Sequence, residues 1–253
     1  MKAMVLAAGL GTRLRPLTND RPKALVEVGG RTLLEITLTR LRSFGISEVI
    51  INTHHFADMV AEYLRAHQNF GMHIEISYEP VLLDTGGGLK HAAHFFVGSD
   101  EPFLVHNVDV LSTIDFSEML VFHRQRNALA TLAVQDRRTS RYLLLDQNGE
   151  LCGRRTGVDG VPELVRPVEK PQARAFAGIH ILSPRIFSVL EEQGIFSIIP
   201  VYLRLAAANE PIAGFPADGY YWRDMGRPES IVDAVREMAE NAHPEVASDG
   251  SDR

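Results

Sequence analysis

Between Leu6 and Thr18 the chain reads Leu-Ala-Ala-Gly-Leu-Gly-Thr-Arg-Leu-Arg-Pro-Leu-Thr, and Arg21-Pro22-Lys23 follows. Small residues let backbone N–H groups come close to phosphate oxygens. Arg13 and Lys23 add cationic donors of the kind that hold a triphosphate. A structural turn flanked by surface cations is the plainer reading of the same residues. Two well-known nucleotide motifs are absent. A dinucleotide fingerprint requires a third glycine where Leu14 stands and an acid ending the second strand, where Asn52 stands. A P-loop requires Gly-Lys-Ser/Thr after its spacer, and no such run occurs here.

Carboxylates supply the other half of the chemistry. Phe103-Leu104-Val105-His106-Asn107-Val108-Asp109 reads as a buried strand ending in an acid. The C-terminal ends of parallel strands are where α/β sheets bind ligands. A hard carboxylate at such an end suits Mg²⁺ bound jointly with phosphate oxygens. A turn aspartate or a helix N-cap would look the same from this segment alone. Asp224, in Trp222-Arg223-Asp224-Met225-Gly226, is equally open to the role of a helix cap. Glu169-Lys170-Pro171 can be an exposed ion pair before a proline turn, and Gly86-Gly87-Gly88 a flexible helix entry. No Ser, Cys or His arrangement suggests a covalent nucleophile.

The elements that must position these residues follow from periodicity. Ala3–Ala8 reads as a short buried strand, and Leu34, Leu38 and Leu41 place a helix over Leu33–Phe44 with Gly45 as its stop. Strands are expected at Val49–Ile51, Ile74–Ser77 and Phe103–Val105. Helices are expected at Ala57–His67 and Leu89–Phe96, the latter preceded by a loop through Gly86–Gly88. This βαβα order argues for a mostly parallel sheet with helices on both faces. Farther on, strands are expected at Ala130–Val134 and Ala175–Leu182. Tyr142–Asp146 and Glu150–Gly153 flank the hairpin turn Gln147-Asn148-Gly149. Gly153–Pro162 reads as a mobile arm. Helices are expected near Pro184–Glu192, Ser197–Ala207 and Glu229–Asn241. One domain spans residues 1–242, and residues 243–253 read as a disordered polar tail.

Bulk composition limits the function classes. A length of 253 residues, 45% hydrophobic, is enough for one large α/β core. A net charge of −6 gives no bulk attraction to nucleic acid or anionic membrane, so any phosphate binding must be local. The single cysteine, Cys152, rules out an intrachain disulfide and suits a reducing compartment. The N-terminal apolar run is too short for a signal peptide or a span, which leads to a cytoplasmic expectation.

The stretch from Lys2 to Val28 resembles the signature of nucleotidyltransferases that act on sugar 1-phosphates, and the resemblance continues to about Glu237. It implies a Rossmann-like α/β fold with a smaller sugar-binding lobe, and a nucleoside triphosphate and a sugar 1-phosphate as substrates. By the match, Ala7, Gly9, Gly11, Thr12, Arg13 and Lys23 would hold the nucleotide, and Asp109 and Asp224 would share Mg²⁺. Arg13, Lys23 and Asp109 would be the catalytic set. Val168-Glu169-Lys170-Pro171 and Phe176-Ala177-Gly178-Ile179-His180 match family segments. They imply sugar-phosphate contacts from Glu169, Lys170 and Gly178, with Asn107 beside them. Glu79–Gly88 matches the loop lining the base and sugar pocket, which puts Glu79 against the base and Gly87 against the ligand. Its Thr-Gly-Gly-Gly form is most similar to N-acetylmuramate-1-phosphate uridylyltransferases, which favours uridine triphosphate and that sugar. Mannose-1-phosphate guanylyl and glucose-1-phosphate thymidylyl transfer are the nearest rivals, and a sugar-nucleotide sensor without turnover is a rival of another class. Whether copies of the chain assemble is left open.

Overall fold

The structure is a computed structural model describing residues 1–239. The expected end of the domain at 242 and the expected tail both fall outside the described residues. The first half begins with β1 (Ala3–Leu6), a strand with every side chain buried. A short hairpin of β2 (Glu27–Val28) and β3 (Arg31–Thr32) leads into α1 (Leu33–Ser43). Thr32 caps α1, its hydroxyl accepting from the Glu35 amide, and Gly45 follows the helix at φ 73°. Next come β4 (Glu48–Thr53), α2 (Ala57–Ala66), β5 (His73–Tyr78), α3 (Asp84–His91), β6 (Phe103–Asn107), β7 (Val110–Ser112) and α4 (Phe116–Gln125). The second half holds β8 (Ala130–Gln135), β9 (Arg141–Leu145), β10 (Leu151–Thr156), β11 (Glu163–Leu164) and the long β12 (Gln172–Leu182). It closes with α5 (Ile186–Val189), α6 (Ile198–Ala207), β13 (Ile212–Pro216), β14 (Trp222–Asp224) and α7 (Pro228–Ala239).

Four strands form a parallel core in the order β6-β1-β4-β5. Alternation along β1 explains the layers. Ala3 and Val5 pack with Leu34, Leu38 and Leu41 of α1, while Met4 and Leu6 pack with Leu89 of α3 and Val201 of α6. β12 joins this core antiparallel to β6, with Ile179 opposite His106. Its N-terminal half therefore continues past Asn107, beyond the C-terminal ends of the parallel strands. There it carries β9, β10 and β11 as an antiparallel lobe. The other edge of β12 pairs with β8, which in turn pairs in parallel with β13. The expected Rossmann-like α/β sheet with a second lobe is what the chain builds.

Several local expectations differ from the structure. α3 begins at Asp84, so the three glycines lie inside the helix rather than in a loop before it. Gly153–Pro162 is an arm only in part: Gly153 to Thr156 belong to β10, which pairs with Leu164 and Glu163 of β11, and residues 157–162 connect the two strands. Hydrogen bonding across strands overrides a composition that reads as mobile. α5 covers only Ile186–Val189 of the expected Pro184–Glu192 helix. α4, β7, β13 and β14 had no counterpart in the periodicity. No helix among the described residues is long and apolar enough to cross a membrane.

Three buried histidines make the fold acid-sensitive. His106 and His123 are held down to about 4 and His180 to about 3, in each case mainly by burial. The unfolded chain binds these protons near pH 6.5 and the folded chain does not, so stability is full above about pH 6.5 and falls as pH drops toward 4. Thermal unfolding midpoints measured from pH 7 to pH 4.5 should fall steadily through this window. His180→Gln should flatten the slope. A midpoint that stays level down to pH 4.5 would contradict this assignment.

Candidate active site

The glycine-containing loop leaves β1 at Leu6 and is tied down before it reaches solvent. The amides of Ala7 and Ala8 donate to Asn52 Oδ1 at 2.7 and 3.3 Å. Asn52 is the penultimate residue of β4, and its Nδ2 donates to Glu79 Oε1 at 2.8 Å. Glu79 Oε2 accepts from the Leu83 amide at 2.9 Å. Glu79 has no exposed surface, so this carboxyl group must find its partners inside the protein. The network joins the loops after β1, β4 and β5 to the start of α3.

This geometry bears on three sequence expectations. The Ala7 amide is committed to Asn52, which leaves the other atoms of Ala7 for any nucleotide contact. Each Glu79 oxygen accepts one hydrogen bond from the protein, and the residue braces the cavity that it also lines. Gly87 does not leave room for a ligand: a Cβ there would meet the Gly194 carbonyl oxygen at 2.5 Å. Its neighbours serve packing too. A Cβ at Gly86 would strike the Phe196 ring at 2.5 Å, and one at Gly88 would lie 2.6 Å from Glu79 Oε1 and 2.8 Å from Asn52 Nδ2.

Beyond Ala8 the loop opens. Gly9, Thr12 and Arg13 are exposed, and no acceptor among the described residues takes the amides of Gly9 to Thr12. Gly11 stands at φ 62° as the N-cap of a 3₁₀ turn over Thr12–Leu14, which buries Leu14 and leaves Arg13 outside. The Gly11 carbonyl accepts from the Thr18 hydroxyl at 2.8 Å. A Cβ at Gly11 would press on Thr18 and Lys23 and would also require a left-handed conformation that L-residues avoid. A Cβ at Gly9 would sit 3.5 Å from Lys23 Nζ, so glycine there keeps the amine uncovered.

Lys23 Nζ forms a 3.0 Å ion pair with Asp109 Oδ2, both side chains being largely buried. Asp109 lies between β6 and β7. β7 pairs with β14 so that Val110 faces Asp224, and the Met225 amide donates to the Asp109 carbonyl at 2.7 Å. This ribbon brings together two aspartates separated by more than a hundred residues. Asp224 Oδ1 accepts from the Gly226 amide at 2.8 Å. A side chain at Gly226 would collide with both Asp224 Oδ1 and Arg13 Nη2, so glycine lets the Arg13 guanidinium lie against the Asp224 turn. Asp109 Oδ1 and Asp224 Oδ2 keep no hydrogen-bond or ion-pair partner among the described residues. Two such hard oxygens on one ribbon fit a divalent cation.

A cavity of about 470 Å³ opens among Gly9, Lys23, Asn107, Asp109, Thr85 and Ile195. A second cavity, of about 310 Å³ between α1 and β7, contains none of the expected site residues. Gly178 stands at φ 74° in a bulge of β12, where a Cβ would meet Asn107 Nδ2 at 2.7 Å, so Gly178 and Asn107 do meet. Glu169 and Lys170 are not drawn into this cluster. They are exposed in the bend before β12, at the far end of the lobe strand.

One residue beside the site carried no signal in the sequence. Arg137, just past β8, stacks over the Trp222 ring at 3.6 Å and donates from Nη2 to the Phe176 carbonyl at 2.8 Å. Trp222 Nε1 donates to the next carbonyl, that of Ala177, at 2.7 Å. Burial lowers the Arg137 pKa from its usual value, and the charge of Asp224 opposes that shift. His106, by contrast, lies buried behind the site with Nδ1 2.8 Å from the Asn107 carbonyl, and is neutral above about pH 4.

A Gly loop with open amides, two cations and two carboxylates, one just past a strand of the parallel core and one on the β7–β14 ribbon, suit the handling of phosphate groups at the edge of an α/β sheet. The nucleotidyl transferase family profile matches residues 2–241, and the chain belongs to that family. It is an enzyme of the sugar-1-phosphate nucleotidyltransferase class. An N-acetylmuramate alpha-1-phosphate uridylyltransferase of Caulobacter vibrioides is 37% identical over 94% of this chain and 97% of its own length. A mannose-1-phosphate guanyltransferase of Yarrowia lipolytica is 32% identical over 92% of the chain, which spans 62% of that relative. Among solved structures, HddC from Yersinia pseudotuberculosis complexed with GMP-PN aligns with a TM-score of 0.71 over 94% of this chain and 99% of its own, at 21% identity. A UDP-glucose pyrophosphorylase complexed with UDP-glucose aligns at 0.75 over 95% and 98%, with 18% identity. These two likenesses bear on the fold alone.

The buried network gives a direct test. Gly88→Ala should force Glu79 and Asn52 apart and destabilise the protein by about 1–3 kcal/mol, as overpacking does. Urea unfolding of the variant measures this. A midpoint equal to that of the parent would show that the network yields without cost.

Proposed function

We propose that this enzyme transfers a uridylyl group from uridine triphosphate to N-acetylmuramic acid 1-phosphate and releases pyrophosphate. The observation that carries this substrate choice is the relation to the Caulobacter uridylyltransferase, which covers nearly the whole of both chains. Guanylyl transfer to mannose 1-phosphate is the second reading, supported by the 32% identity to the Yarrowia enzyme.

The residues divide the work as follows. The open amides of Gly9, Gly11 and Thr12 receive phosphate oxygens, and Arg13 and Lys23 neutralise the triphosphate. Lys23 is held in place beforehand by Asp109, 3.0 Å away. Ala7, Asn52 and Glu79 keep the loop rigid from behind. Asn107 and Gly178 line the acceptor side, while Glu169 and Lys170 stand exposed in the bend before β12, outside this cluster. Asp109 and Asp224 would hold Mg²⁺, which when bound offsets charge on the phosphates and the leaving group. An acceptor phosphate oxygen attacks the α-phosphorus in line with the departing pyrophosphate, without a covalent enzyme intermediate. A phosphate monoester is already anionic near neutral pH, so no general base is required, and the buried neutral His106 is not placed to act as one. Positioning and charge neutralisation account for the rate.

Two measurements test the proposal. Lys23→Ala should lower turnover by about 10²–10³-fold, the usual cost of one lost donor to developing negative charge, with an unchanged circular dichroism spectrum. Near-normal pyrophosphate release by this variant would refute the role given to Lys23. The substrate choice is read by competing uridine, guanosine, deoxythymidine and cytidine triphosphates, each with muramic, glucosamine, mannose and glucose 1-phosphates. Uridine triphosphate with the muramic compound should give the highest kcat/KM. A maximum with guanosine triphosphate and mannose 1-phosphate would replace the first reading with the second.

A further inference from the structure

Arg137 is held in an unusual way for a loop arginine on an open protein face. Its guanidinium lies over Trp222 at 3.6 Å and is anchored at one end by the Phe176 carbonyl. Trp222 is itself anchored to the Ala177 carbonyl, so the cation and the indole sit side by side over the β12 bulge that contains Gly178. Trp222 and Asp224 are two residues apart on β14 and share one face of that strand. The cation therefore lies on the Trp222 side of β14, near enough to Asp224 for that carboxylate's charge to act on it. Its Nε is enclosed by protein, whereas Nη1 is not enclosed and has no hydrogen-bond partner among the described residues. A guanidinium N–H without an acceptor is an opening for a ligand to fill. The stacking and the Phe176 bond fix the plane of the group, so that Nη1 is preorganised to donate to an oxyanion.

We propose that Arg137 is an acceptor-binding residue whose free Nη1 donates to an oxyanion of the sugar phosphate. This rests on the reading of the chain as a sugar-1-phosphate nucleotidyltransferase. Two groups of the acceptor offer that chemistry. One is the 1-phosphate, which every acceptor of the class carries. The other is the carboxylate of the lactyl ether, which N-acetylmuramic acid has and N-acetylglucosamine lacks. If the carboxylate is the partner, Arg137 supplies the polar group that a wrong sugar leaves unpaired, which is how a site rejects a close analogue strongly. Lys170, exposed at the far end of the lobe strand, does not occupy this place.

The test is steady-state kinetics of the whole protein, its Arg137→Gln variant and its Arg137→Lys variant. Uridine triphosphate is the donor, and the 1-phosphates of N-acetylmuramic acid and N-acetylglucosamine are the two acceptors. Arg137→Gln should raise the acceptor KM about tenfold or more, the loss expected for a charge-assisted hydrogen bond. The KM for uridine triphosphate should stay within a factor of two of the parent's value. Arg137→Lys, which keeps the charge but not the fork, should recover part of the loss. A rise in KM confined to the muramic acceptor assigns the carboxylate as the partner, and an equal rise with both acceptors assigns the phosphate. The proposal is overturned if neither acceptor KM changes in either variant. It is also overturned if donor and acceptor KM rise together with a fall in melting temperature, because a purely structural stacking role would do that. Absence of turnover by the unaltered enzyme with any sugar 1-phosphate would instead refute the functional reading beneath it.

Discussion

The hydrogen bonding of one buried carboxyl group organises the catalytic end of this molecule. Glu79 has no exposed surface, and taking such a group out of water is tolerable only if its oxygens are met by donors. Asn52 and the Leu83 amide meet them. Asn52 then has its carbonyl oxygen free for the amides of Ala7 and Ala8. The direction of the phosphate loop, the start of α3 and the ends of β4 and β5 are thus set by one chain of bonds. The absence of a side chain at Gly88 follows from it, since a methyl group there would occupy the space of the Asn52–Glu79 contact. Motif and scaffold are one structure here: the small residues of the loop are held by polar residues that line the same cavity.

A second constraint is register. β12 meets β6 with Ile179 opposite His106, and every residue of β12 before the bulge is thereby carried past the end of the parallel core. This overhang supports the lobe and creates the wall facing the phosphate loop. The β7–β14 ribbon provides the floor, because pairing Val110 with Asp224 places Asp109 next to the Met225 amide. Three cations face this carboxylate pair from different elements. Lys23 comes from the segment before β2, Arg13 from the 3₁₀ turn and Arg137 from the end of β8. Three cations against two carboxylates leave this end of the molecule with an excess of one positive charge, which suits anions.

The parallel core was readable from the sequence because each of its strands is a short apolar run beside a helix of clear periodicity. The strand ends at Leu6, Asn107 and Tyr78 fall within a few residues of where the runs suggested. The phosphate loop was readable for a related reason: its chemistry is concentrated in one continuous stretch. Glycine was harder to interpret. A Cβ at Gly9, Gly11 or Gly226 would crowd Lys23, Thr18 or the Arg13–Asp224 contact, whereas Gly86, Gly87 and Gly88 make room for Phe196, Gly194 and the Asn52–Glu79 pair. Composition records that a side chain is missing but not which neighbour fills the space. The edge and ribbon strands β7, β13 and β14 escaped notice because three to five residues hold too little pattern to stand out.

By itself the sequence determined the class of fold, the family and the position of the glycine-containing loop after β1. These depend on local periodicity and on side-chain chemistry, which travel with the chain. Tertiary structure alone decided that Asp109 and Asp224 share a ribbon, that Glu79 turns inward and that Arg137 lies on Trp222. Each of these is a contact between segments far apart in sequence, fixed by strand register and by the need to satisfy buried polar groups. No local pattern encodes a partner that distant.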